Sequence, residues 1–582
     1  MNMKIQFRRR PQADDSHLPA NLSPLLRRLY AMRGVLSEHE LETSAKGLLH
    51  YKSLNGIKTA VRLLMTALNE NWQIIVVGDF DVDGATSTAL TLRALNAMGY
   101  RYFDYFIPNR LEGGYGLSPQ VVEEVIKKKA QLIITVDNGI SSYEGVSFAH
   151  QNDIKVIITD HHLPGKNLPC AEAIINPNLA DCHFPSKALS GVGVSFYLMS
   201  ALRAALLQAG WFSKTLNKIP NLAELLDLVA LGTVADVAPL DKNNRILVYQ
   251  GLNRIRTGRG CIGIKALIEV SKCNVSRIVA NDLGFFIGPL LNAAGRLDDM
   301  SIGVEVLLTD NIVYARKLAN KLDSLNRTRR KIEQDMQQEA LHIFSETEKK
   351  YHHIPNGLVL YHPQWHQGVS GILASRIKER FHRPVIVFAS VGKGILKGSG
   401  RSIHGLHLLD ALERLNTLNP GLILTFGGHA MAAGLTLKER KFSQFQEHFS
   451  NLITESLDHN TLEAVIWSDG ELNNEELSLD MAELIRNAGP WGEAFPEPIF
   501  DGKFKLLQQR LVGDNHLKML LEPLVGGALI EGIAFNIDTT YWPDHSIKIV
   551  ELVYKLDVNE YRGNRNIQLL IQHFWPSEES IS

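Results

Sequence analysis

The chain has 582 residues, of which 45% are hydrophobic and 21% charged, and its net charge is −1. This length predicts roughly three to five domains, each with room for a substantial core. The near-zero charge argues against a protein that binds nucleic acid through an overall excess of Lys and Arg, so any such binding has to depend on local patches.

The sequence carries no signal for export or for a membrane. No uninterrupted apolar run reaches the ~18 residues of a membrane span, and residues 1–10 lack the apolar segment of a secretory signal. The four cysteines form no Cys-x-x-Cys pair, which favours free thiols over zinc ligands or disulfides. We therefore expect a cytoplasmic enzyme with no membrane partner.

The first ~45 residues predict an irregular or helical lead-in, and three apolar runs come after it. Residues 74–77, 132–136 and 156–159 are continuous aliphatic stretches, as expected of central parallel strands that are covered on both faces. Each run is followed directly by acidic or imidazole residues, which are Asp79, Asp81 and Asp83, then Asp137, and then Asp160, His161 and His162. Because ligands in open α/β sheets bind beyond the carboxyl ends of the strands, the three loops are expected to build one site.

Such a cluster of acids predicts bound divalent metal, because carboxylates packed closely together repel one another and lose hydration. Asp and His ligands suit Mn²⁺ or Mg²⁺ better than Zn²⁺. Two ions ~3.5–4 Å apart would activate a water and stabilise the attacking and leaving oxygens of a phosphodiester. Asp236, which follows the helical pattern of residues 222–229, is the expected closing ligand. The pattern is typical of a metal-dependent phosphoesterase.

Each motif taken alone has another interpretation. Residues 79–84 also resemble the opening of a calcium-binding EF-hand loop, but Leu90 stands where that loop needs Glu, and a strand precedes the motif. The same acids could form a turn that caps the following helix. His161 and His162 could be one buried and one exposed histidine, and Asp236 could be a turn residue. The motifs in combination favour the metal site.

A phosphodiesterase also needs cations and backbone donors that hold the substrate without reading base identity. Residues 108–116 combine Arg110, several glycines and Tyr115, which suits a grip on a strand end. A plain glycine-rich loop is the alternative. Further along, residues 364–371 predict a loop before a helix at 372–381.

Two stretches in the second half predict small-residue loops, residues 397–402 and 427–429, whose backbone N–H groups could approach phosphates. Between the halves, apolar residues at helical spacing predict one long helix over 311–345. Its basic stretch at 326–331 is either a nucleic-acid patch or a solvated helix face.

From about residue 460 the pattern changes to short strands that predict a small β-barrel. The predicted strands lie at 464–467, 500–507, 517–521, 528–535, 547–556 and 567–574. Trp467 and Tyr554 are expected in the barrel core, and Tyr561 with Arg562 in a turn.

These motifs together with residues 288–296 and 427–434 resemble the DHH phosphoesterase family, and most closely its bacterial single-strand-specific exonucleases. The resemblance implies an α/β fold with a parallel-sheet DHH catalytic domain, a bridging helix, an α/β accessory domain called DHHA1, and an OB-like β-barrel. The implied divisions are a lead-in at 1–45, the DHH domain at 46–310, the bridging helix at 311–348, the nucleic-acid-binding DHHA1 domain at 349–459 and the single-strand-binding barrel at 460–582.

The resemblance also implies the roles of the site residues. One metal would be held by Asp83, Asp137, His161 and Asp236. A second would be held by Asp79, Asp81 and Asp83, and His162 would contact the scissile phosphate. The implied nucleic-acid contacts are Arg110, Tyr115, Asn292, Arg296, Arg376, Ser399, Arg401, Gly428 and His429. Arg296 could instead pair with Asp298 or Asp299.

By the same resemblance, we expect a single-stranded-DNA-specific 5′-to-3′ exonuclease that uses two Mn²⁺ or Mg²⁺ ions and releases 5′ mononucleotides in repair and recombination. Single-strand-binding protein and a recombination helicase are expected partners. One alternative is a DHH-family nuclease of short RNA oligonucleotides or a hydrolase of a small phosphoanhydride. Another is a catalytically silent strand-binding scaffold, although this chain keeps every expected acid.

Overall fold

The computed structural model describes residues 5–110, 116–214, 218–351, 354–458, 460–561 and 563–577. These ranges contain two five-stranded sheets, a two-stranded sheet and a closed five-stranded barrel. Tyr115 and Arg562, both of which carried expectations, lie outside the described residues.

Strand β1 (Ile5–Arg9) lies within the predicted lead-in, so that expectation was wrong for these five residues. Residues 10–45 are irregular or helical, as expected, with a helix at Pro24–Ala31. β1 pairs in parallel with strand β12 (Ala464–Ser468), and this pair forms a separate small sheet. The stretch expected to open the barrel therefore lies outside it, and Trp467 is 38% exposed instead of in the core. The sequence pattern identified a strand at 464–467, but a short strand does not encode a partner that is over 450 positions away.

The first α/β unit holds a parallel sheet in the order β3-β2-β4-β5-β6. Its strands are β2 (Ile74–Val77), β3 (Phe103–Phe106), β4 (Leu132–Val136), β5 (Lys155–Thr159) and β6 (Ala173–Ile175). β2, β4 and β5 are adjacent and parallel, with Val76 opposite Ile134 and Ile134 opposite Ile157. The predicted central strands are confirmed, and all of β2 and β4 is buried.

Helices cover both faces of this sheet and extend beyond it. They are α1 (Pro24–Ala31), α2 (Ile57–Glu70), α3 (Val82–Met98), α4 (Pro119–Lys127), α5 (Tyr143–Gln151), α6 (Gly191–Gln208), α7 (Trp211–Lys214), α8 (Leu226–Ala235), α9 (Lys242–Arg256), α10 (Ile262–Ser271), α11 (Ala280–Asp282), α12 (Gly288–Leu297) and α13 (Ser301–Leu308). Among the described helices, α6 alone is long and apolar enough to cross a membrane, and 67% of it is buried inside the protein. It packs against α3 and α8 as a core helix.

Helix α14 (Ile312–Tyr351) joins the two α/β units, as predicted, and ends six residues later than the sequence pattern indicated. The basic stretch at its centre has two environments. Arg329 is buried and bonds to Glu333 at 2.6 Å, whereas Arg327 and Lys331 are exposed and pair with acids four residues away along the helix. The stretch is thus mainly a solvated helix face with one buried ion pair.

The second α/β unit holds a mixed sheet in the order β10-β11-β9-β8-β7. Its elements are β7 (Leu358–Tyr361), α15 (Gln367–Phe381), β8 (Val385–Ser390), β9 (Ile395–Arg401), α16 (Leu408–Leu418), β10 (Thr425–Gly428), β11 (Ala432–Lys438) and α17 (Phe442–Ser456). α15 begins five residues before the predicted start at 372.

The small-residue loop predicted at 397–402 was wrong, because these residues form strand β9 up to Arg401. A Cβ on Gly398 would lie 2.5 Å from a ring carbon of Phe388, and a Cβ on Gly400 would lie 2.7 Å from a methyl of Leu408. The glycines therefore make room for large neighbours in the core instead of marking a turn.

The barrel strands are β13 (Phe500–Val512), β14 (His516–Pro523), β15 (Ile530–Ala534), β16 (Ile549–Tyr561) and β17 (Asn564–Pro576), and helix α18 (Leu479–Asn487) precedes them. They close in the order β13-β14-β15-β17-β16. The predicted barrel is confirmed, with Tyr554 in its core at 1% exposed. Its core is continuous with that of the first α/β unit, whereas the second unit has cores of its own.

Candidate metal centre and nucleic-acid cleft

The carboxyl ends of β2, β4 and β5 meet the end of α8 at one point. His161 Nε2 lies 3.0 Å from Asp137 Oδ1, 3.9 Å from Asp83 Oδ2 and 3.8 Å from Asp236 Oδ2. These four residues are the set that the resemblance assigned to one metal. The fold brings these four residues together from distant parts of the chain. Asp83 and Asp236, the two that are farthest apart in sequence, are separated by 153 residues.

A second group of ligand atoms adjoins the first. One oxygen each of Asp79, Asp81 and Asp137 lies within 4.8 Å of the others, and Asp137, His161 and His162 form a similar group. Asp137 belongs to both and adopts a left-handed backbone with φ 62°. The structure thus gathers all seven residues expected at the centre, with Asp137 in the shared position.

Asp83 is held by a helix start that the sequence analysis did not identify. Its carboxylate accepts hydrogen bonds from the backbone N–H groups of Gly191 at 2.6 Å and Val192 at 2.9 Å, the first residues of α6. The positive end of the helix dipole stabilises the negative charge there. A Cβ on Gly191 would lie 2.6 Å from the Cβ of Asp137, so only glycine fits. The glycine at a helix start was the available signal in the sequence.

Asp160 had been given no role, yet it orients the two histidines. It is 1% exposed and accepts hydrogen bonds from the backbone of Ile140 at 2.9 Å and from His162 Nδ1 at 2.7 Å. Burial would raise the pKa of Asp160, but the hydrogen bond and charge of His162 hold it below its usual range. Burial would lower the pKa of His162, but Asp160 raises it to about 9. His162 is therefore a cation beside the acidic cluster.

The described side chains around the centre do not supply enough positive charge to balance its buried carboxylates. Burial, together with the charge of Asp81, raises the pKa of Asp79 to about 8 and that of Asp83 to about 7. Burial and neighbouring carboxylates also raise the pKa values of Asp137 and Asp236. Divalent cations would supply the missing charge.

One pair of atoms tests the fit to a metal directly. Burial and the charge of His162 lower the pKa of His161 to about 4, so its ring is neutral at pH 7. His161 Nε2 and Asp137 Oδ1 are buried and 3.0 Å apart, but neither has a hydrogen-bond partner of acceptable geometry. Two buried atoms left in this way on adjacent side chains fit a common metal ion, with the oxygen-rich set favouring Mn²⁺ or Mg²⁺.

Cations line the cleft on the side of Asp79 and Asp81. The Arg110 guanidinium lies over the Phe80 ring at 4.9 Å, and Arg296 donates to the carbonyl of Gly368 at 3.2 Å. Desolvation, together with the charges of Arg110 and Arg401, lowers the pKa of Arg296 to about 9. Three guanidiniums gathered in this way have the chemistry that suits phosphate oxygens.

The suggested pairing of Arg296 with its acidic neighbours is not what the structure shows. Asp298 pairs with Lys321 at 3.1 Å, and Asp299 accepts from the backbone of Ser301 at 2.8 Å. Arg296 instead reaches across to the second α/β unit.

A groove of about 450 Å³ adjoins these cations and runs between the two α/β units. Its lining includes Arg110, Gln367, Lys397, Ser399 and Phe426, of which Gln367, Lys397 and Phe426 had not been singled out as site residues. They were hidden because the sequence does not show which face of β9 or α15 points into the cleft. The volume is within the range of small-ligand sites, ~300–1,000 Å³.

The β10–β11 turn lies over the metal centre, as the resemblance implied for the Gly-Gly-His segment. The rings of His429 and His162 stack with centroids 6.2 Å apart and an interplanar angle of 14°. Gly428 has φ 143°, and a Cβ there would lie 2.4 Å from the carbonyl oxygen of Ala432. Glycine is needed to bring His429 to this position.

The other expected contacts are placed less directly. Arg376 pairs with Glu333 at 3.0 Å and Glu379 at 3.3 Å and is not among the described residues that line the groove. Asn292 lies on α12 one turn before Gly295, whose Cβ would meet the carbonyl oxygen of Phe80. α12 therefore passes beside the first motif.

Family models match three parts of the chain. Residues 73–233 match the N-terminal domain of the DHH family, residues 355–455 match the DHHA1 domain, and residues 468–573 match the RecJ OB domain.

Relatives match the whole length. The single-stranded-DNA-specific exonuclease RecJ of Dickeya dadantii is 64% identical over 576 residues, which are 99% of this chain and 100% of that protein. The crystal structure of Thermus thermophilus RecJ in complex with Mn²⁺ matches this chain with a TM-score of 0.80 at 28% identity. The match covers 99% of this chain and 80% of the Thermus chain. The corresponding Mg²⁺ complex has a TM-score of 0.75 at 27% identity and covers 99% and 79%.

Proposed function

This chain belongs to the RecJ family of DHH phosphoesterases, and from that membership and the geometry of its cleft we propose that it removes nucleotides from the 5′ end of single-stranded DNA. It is a single-stranded-DNA-specific exonuclease that depends on Mn²⁺ or Mg²⁺. The family expected from the motifs is confirmed, as is the α/β DHH fold with an OB domain. The 5′-to-3′ polarity, the release of mononucleotides and the individual residue roles belong to the proposal.

The observation that carries the proposal is the shared position of Asp137 between two ligand groups, next to a cluster of three guanidiniums. Asp83, Asp137, His161 and Asp236 would hold one ion, and Asp79 and Asp81 with Asp137 a second, where the resemblance had implied Asp83 as the third ligand. When bound, two such ions activate a water and neutralise charge on the phosphate. His162 is a cation and would donate a hydrogen bond to the scissile phosphate, while Asp160 holds its ring.

The basic side of the cleft supports action at a strand end, while the 5′ polarity rests on the family. Arg110, Lys397 and Ser399 place positive charge and hydrogen-bond donors in a groove on one side of the metal centre. A terminal phosphate bound there would set the first phosphodiester bond over the acids. Contacts of this kind act on the backbone and carry no base information, which suits a nuclease of any sequence.

The remaining expectations stand as proposals of the same kind. We assign residues 46–310 to catalysis, 349–459 to the opposing nucleic-acid wall and 460–582 to binding of the downstream strand. Action in the cytoplasm, in repair and recombination, with single-strand-binding protein and a recombination helicase as partners, follows from the family.

The test uses one oligonucleotide labelled at either end, as DNA and RNA, single-stranded and duplex, with Mn²⁺ or Mg²⁺, against the wild type and Asp137→Ala. We expect early release of the 5′ label from single-stranded DNA alone, and its loss in the variant. Early release of the 3′ label would reverse the polarity. Activity confined to very short RNA would favour the oligonucleotide nuclease instead.

A further inference from the structure

Three apolar side chains are exposed around the end of helix α8, next to Asp236. Val237 and Phe285 are each 62% exposed, and Phe286 is 39% exposed. We call these three residues the apolar rim. Large apolar side chains left in water beside a functional centre mark a surface that binds something.

Val237 is exposed at a cost in backbone energy. α8 ends with bonds from the Val237 N–H to the Val234 carbonyl at 3.1 Å and from the Ala238 N–H to the Thr233 carbonyl at 3.2 Å. This helix ending needs a left-handed residue, usually glycine, and Val237 occupies it with φ 57°. A β-branched residue there costs roughly 1–2 kcal/mol. Strain held beside a metal ligand indicates a functional reason for the side chain.

Phe285 and Phe286 are presented by a π-helical turn, Leu283–Ile287, directly before α12. Leu283 and Ile287 are fully buried and anchor the turn, while the two phenylalanine rings meet edge to face with centroids 5.1 Å apart. Single π-turns of this kind occur frequently at functional sites.

The turn lies against the last residues of α8. A Cβ on Gly284 would lie 3.3 Å from a methyl of Val234, and a Cβ on Gly288 would lie 3.5 Å from the Cβ of Ala235. Asp236 follows Ala235 directly and caps the helix. The aromatic pair is therefore anchored next to a carboxylate of the metal centre.

Helix α12 shows on which side of the centre the rim lies. It starts at Gly288, beside Ala235, and seven residues later Gly295 meets the carbonyl of Phe80, whose ring carries Arg110. At a rise of ~1.5 Å per residue these two points are ~10 Å apart. The rim and the groove lined by Arg110 thus lie near opposite ends of α12, with the acids between them.

We propose that Phe285, Phe286 and Val237 form a stacking surface for bases of the substrate strand, on the side of the metal centre away from the Arg110 groove. The inference rests on the proposed function and adds the contact that reads the single-stranded state. Every base has a π-face, so stacking tolerates any sequence. Inside a duplex those faces are covered by neighbouring base pairs, so internal paired bases gain nothing from the rim.

The experiment replaces both rings, in Phe285→Ala/Phe286→Ala, and measures binding and cleavage of single-stranded DNA that carries one abasic site at successive positions. For the wild type, loss of the base at one or two of these positions should weaken binding of the DNA. In the double variant, intact DNA should bind ~5- to 150-fold more weakly, the loss expected for one stacked base. The abasic substitutions should then have no further effect, and KM should change more than kcat.

Two variants serve as controls. Leu36→Ala/Val313→Ala removes side chains that are 70% and 73% exposed elsewhere and should leave binding unchanged. Phe285→Tyr/Phe286→Tyr keeps the aromatic faces and should restore most of the affinity.

Val237→Gly is a separate test of the third rim residue. It should raise the Tm, because the backbone strain is relieved, while weakening binding of single-stranded DNA.

Wild-type affinity in the double alanine variant, with the Tm unchanged, would overturn the proposal. So would an equal loss on intact and abasic DNA, which would indicate a structural defect instead of stacking. If the variant kept its DNA affinity and lost binding to single-strand-binding protein, the rim would be a protein-docking surface and the proposal would also fail. Absence of nuclease activity in the wild type would refute the proposed function itself, whatever the variants do.

Discussion

The two walls of the cleft carry charge of opposite sign. In the acidic wall, burial and mutual repulsion raise the pKa values of Asp79, Asp83 and Asp137. In the basic wall, desolvation lowers the pKa of Arg110, and desolvation together with the charges of Arg110 and Arg401 lowers that of Arg296. Each wall is electrostatically unfavourable by itself. Metal ions would relieve the acidic wall and phosphates the basic wall, so under the proposed function the site is pre-organised for a substrate that brings both together.

The walls also differ in how they are held. The acids lie at strand ends and helix starts of one continuous core, with Asp83 bound to two backbone N–H groups of α6. The basic wall draws Arg110 and Arg296 from the first α/β unit and Arg401 from the second. Geometry at the metals is thus fixed within one unit, whereas the phosphate contacts depend on how α14 sets the second unit against the first.

The largest effect is expected on the acidic wall. Asp137→Ala removes the ligand common to both groups, and activity on single-stranded DNA should fall by more than ~10³-fold, beyond the ~10²–10³ for loss of one electrostatic donor. Initial rates with Mn²⁺ measure it. The matched control is Asp181→Asn, an exposed acid outside the centre. Activity within tenfold of the wild type would disprove the shared position of Asp137.

The basic wall should show a smaller loss with a different signature. Arg296→Met should reduce kcat/KM ~10- to 150-fold, as expected for one charged hydrogen bond. The Tm without ligand should stay level or rise, because a repelled cation is replaced by an apolar side chain. Arg316→Met, at an exposed pair with Glu269, is the control. A sharp drop in Tm would mean that Arg296 serves the fold more than the substrate.

The third prediction concerns Asp160, which acts on the centre through the side chain of His162. Asp160→Asn removes the negative partner of His162, and the loss expected for such an orienting residue is ~10- to 100-fold. The change should appear in kcat more than in the affinity for single-stranded DNA, since the arginines of the basic wall are untouched. Calorimetric titration with Mn²⁺ gives the control, because the metal affinity should change less than it does in Asp137→Ala.

The smallest expected effect is a change in folding stability with pH and with bound metal. The folded pKa values of Asp79 and Asp83, about 8 and about 7, exceed the usual value near 4. In the metal-free protein these two carboxyls therefore bind more protons in the folded state than in the unfolded state between about pH 4 and pH 8, and their contribution to stability falls as pH rises through that window. Bound Mn²⁺ should remove this slope and add ~2.7 kcal/mol at a concentration of 100 Kd.

Thermal unfolding in EDTA and in Mn²⁺, from pH 5 to pH 8, measures both terms. The gain in Tm from Mn²⁺ should be largest at pH 8. A metal-free protein whose Tm rises with pH over this window would contradict the charge frustration of the acidic wall.

Much of the site could be predicted because its chemistry is local in the sequence. Asp79, Asp137 and His161 each follow a continuous apolar run, and parallel strands place their carboxyl ends at one edge. Gly191 was missed because it acts on Asp83, 108 residues away. The orienting role of Asp160 was missed although His162 is only two residues away, because the sequence does not show that the two side chains turn towards each other. The glycines of β9 misled for a related reason: small residues allow a turn, and they also allow close packing in a strand.

The sequence by itself determined the ligand types, the central strands, the bridging helix and the existence of a barrel, because these depend on residue chemistry and on periodicity within short stretches. The tertiary structure alone decided that β1 pairs with Ala464–Ser468, that Arg296 crosses to Gly368, and that Phe285 and Phe286 are exposed beside Asp236. Pairings of this kind depend on the packing of elements hundreds of residues apart, and no local pattern encodes them.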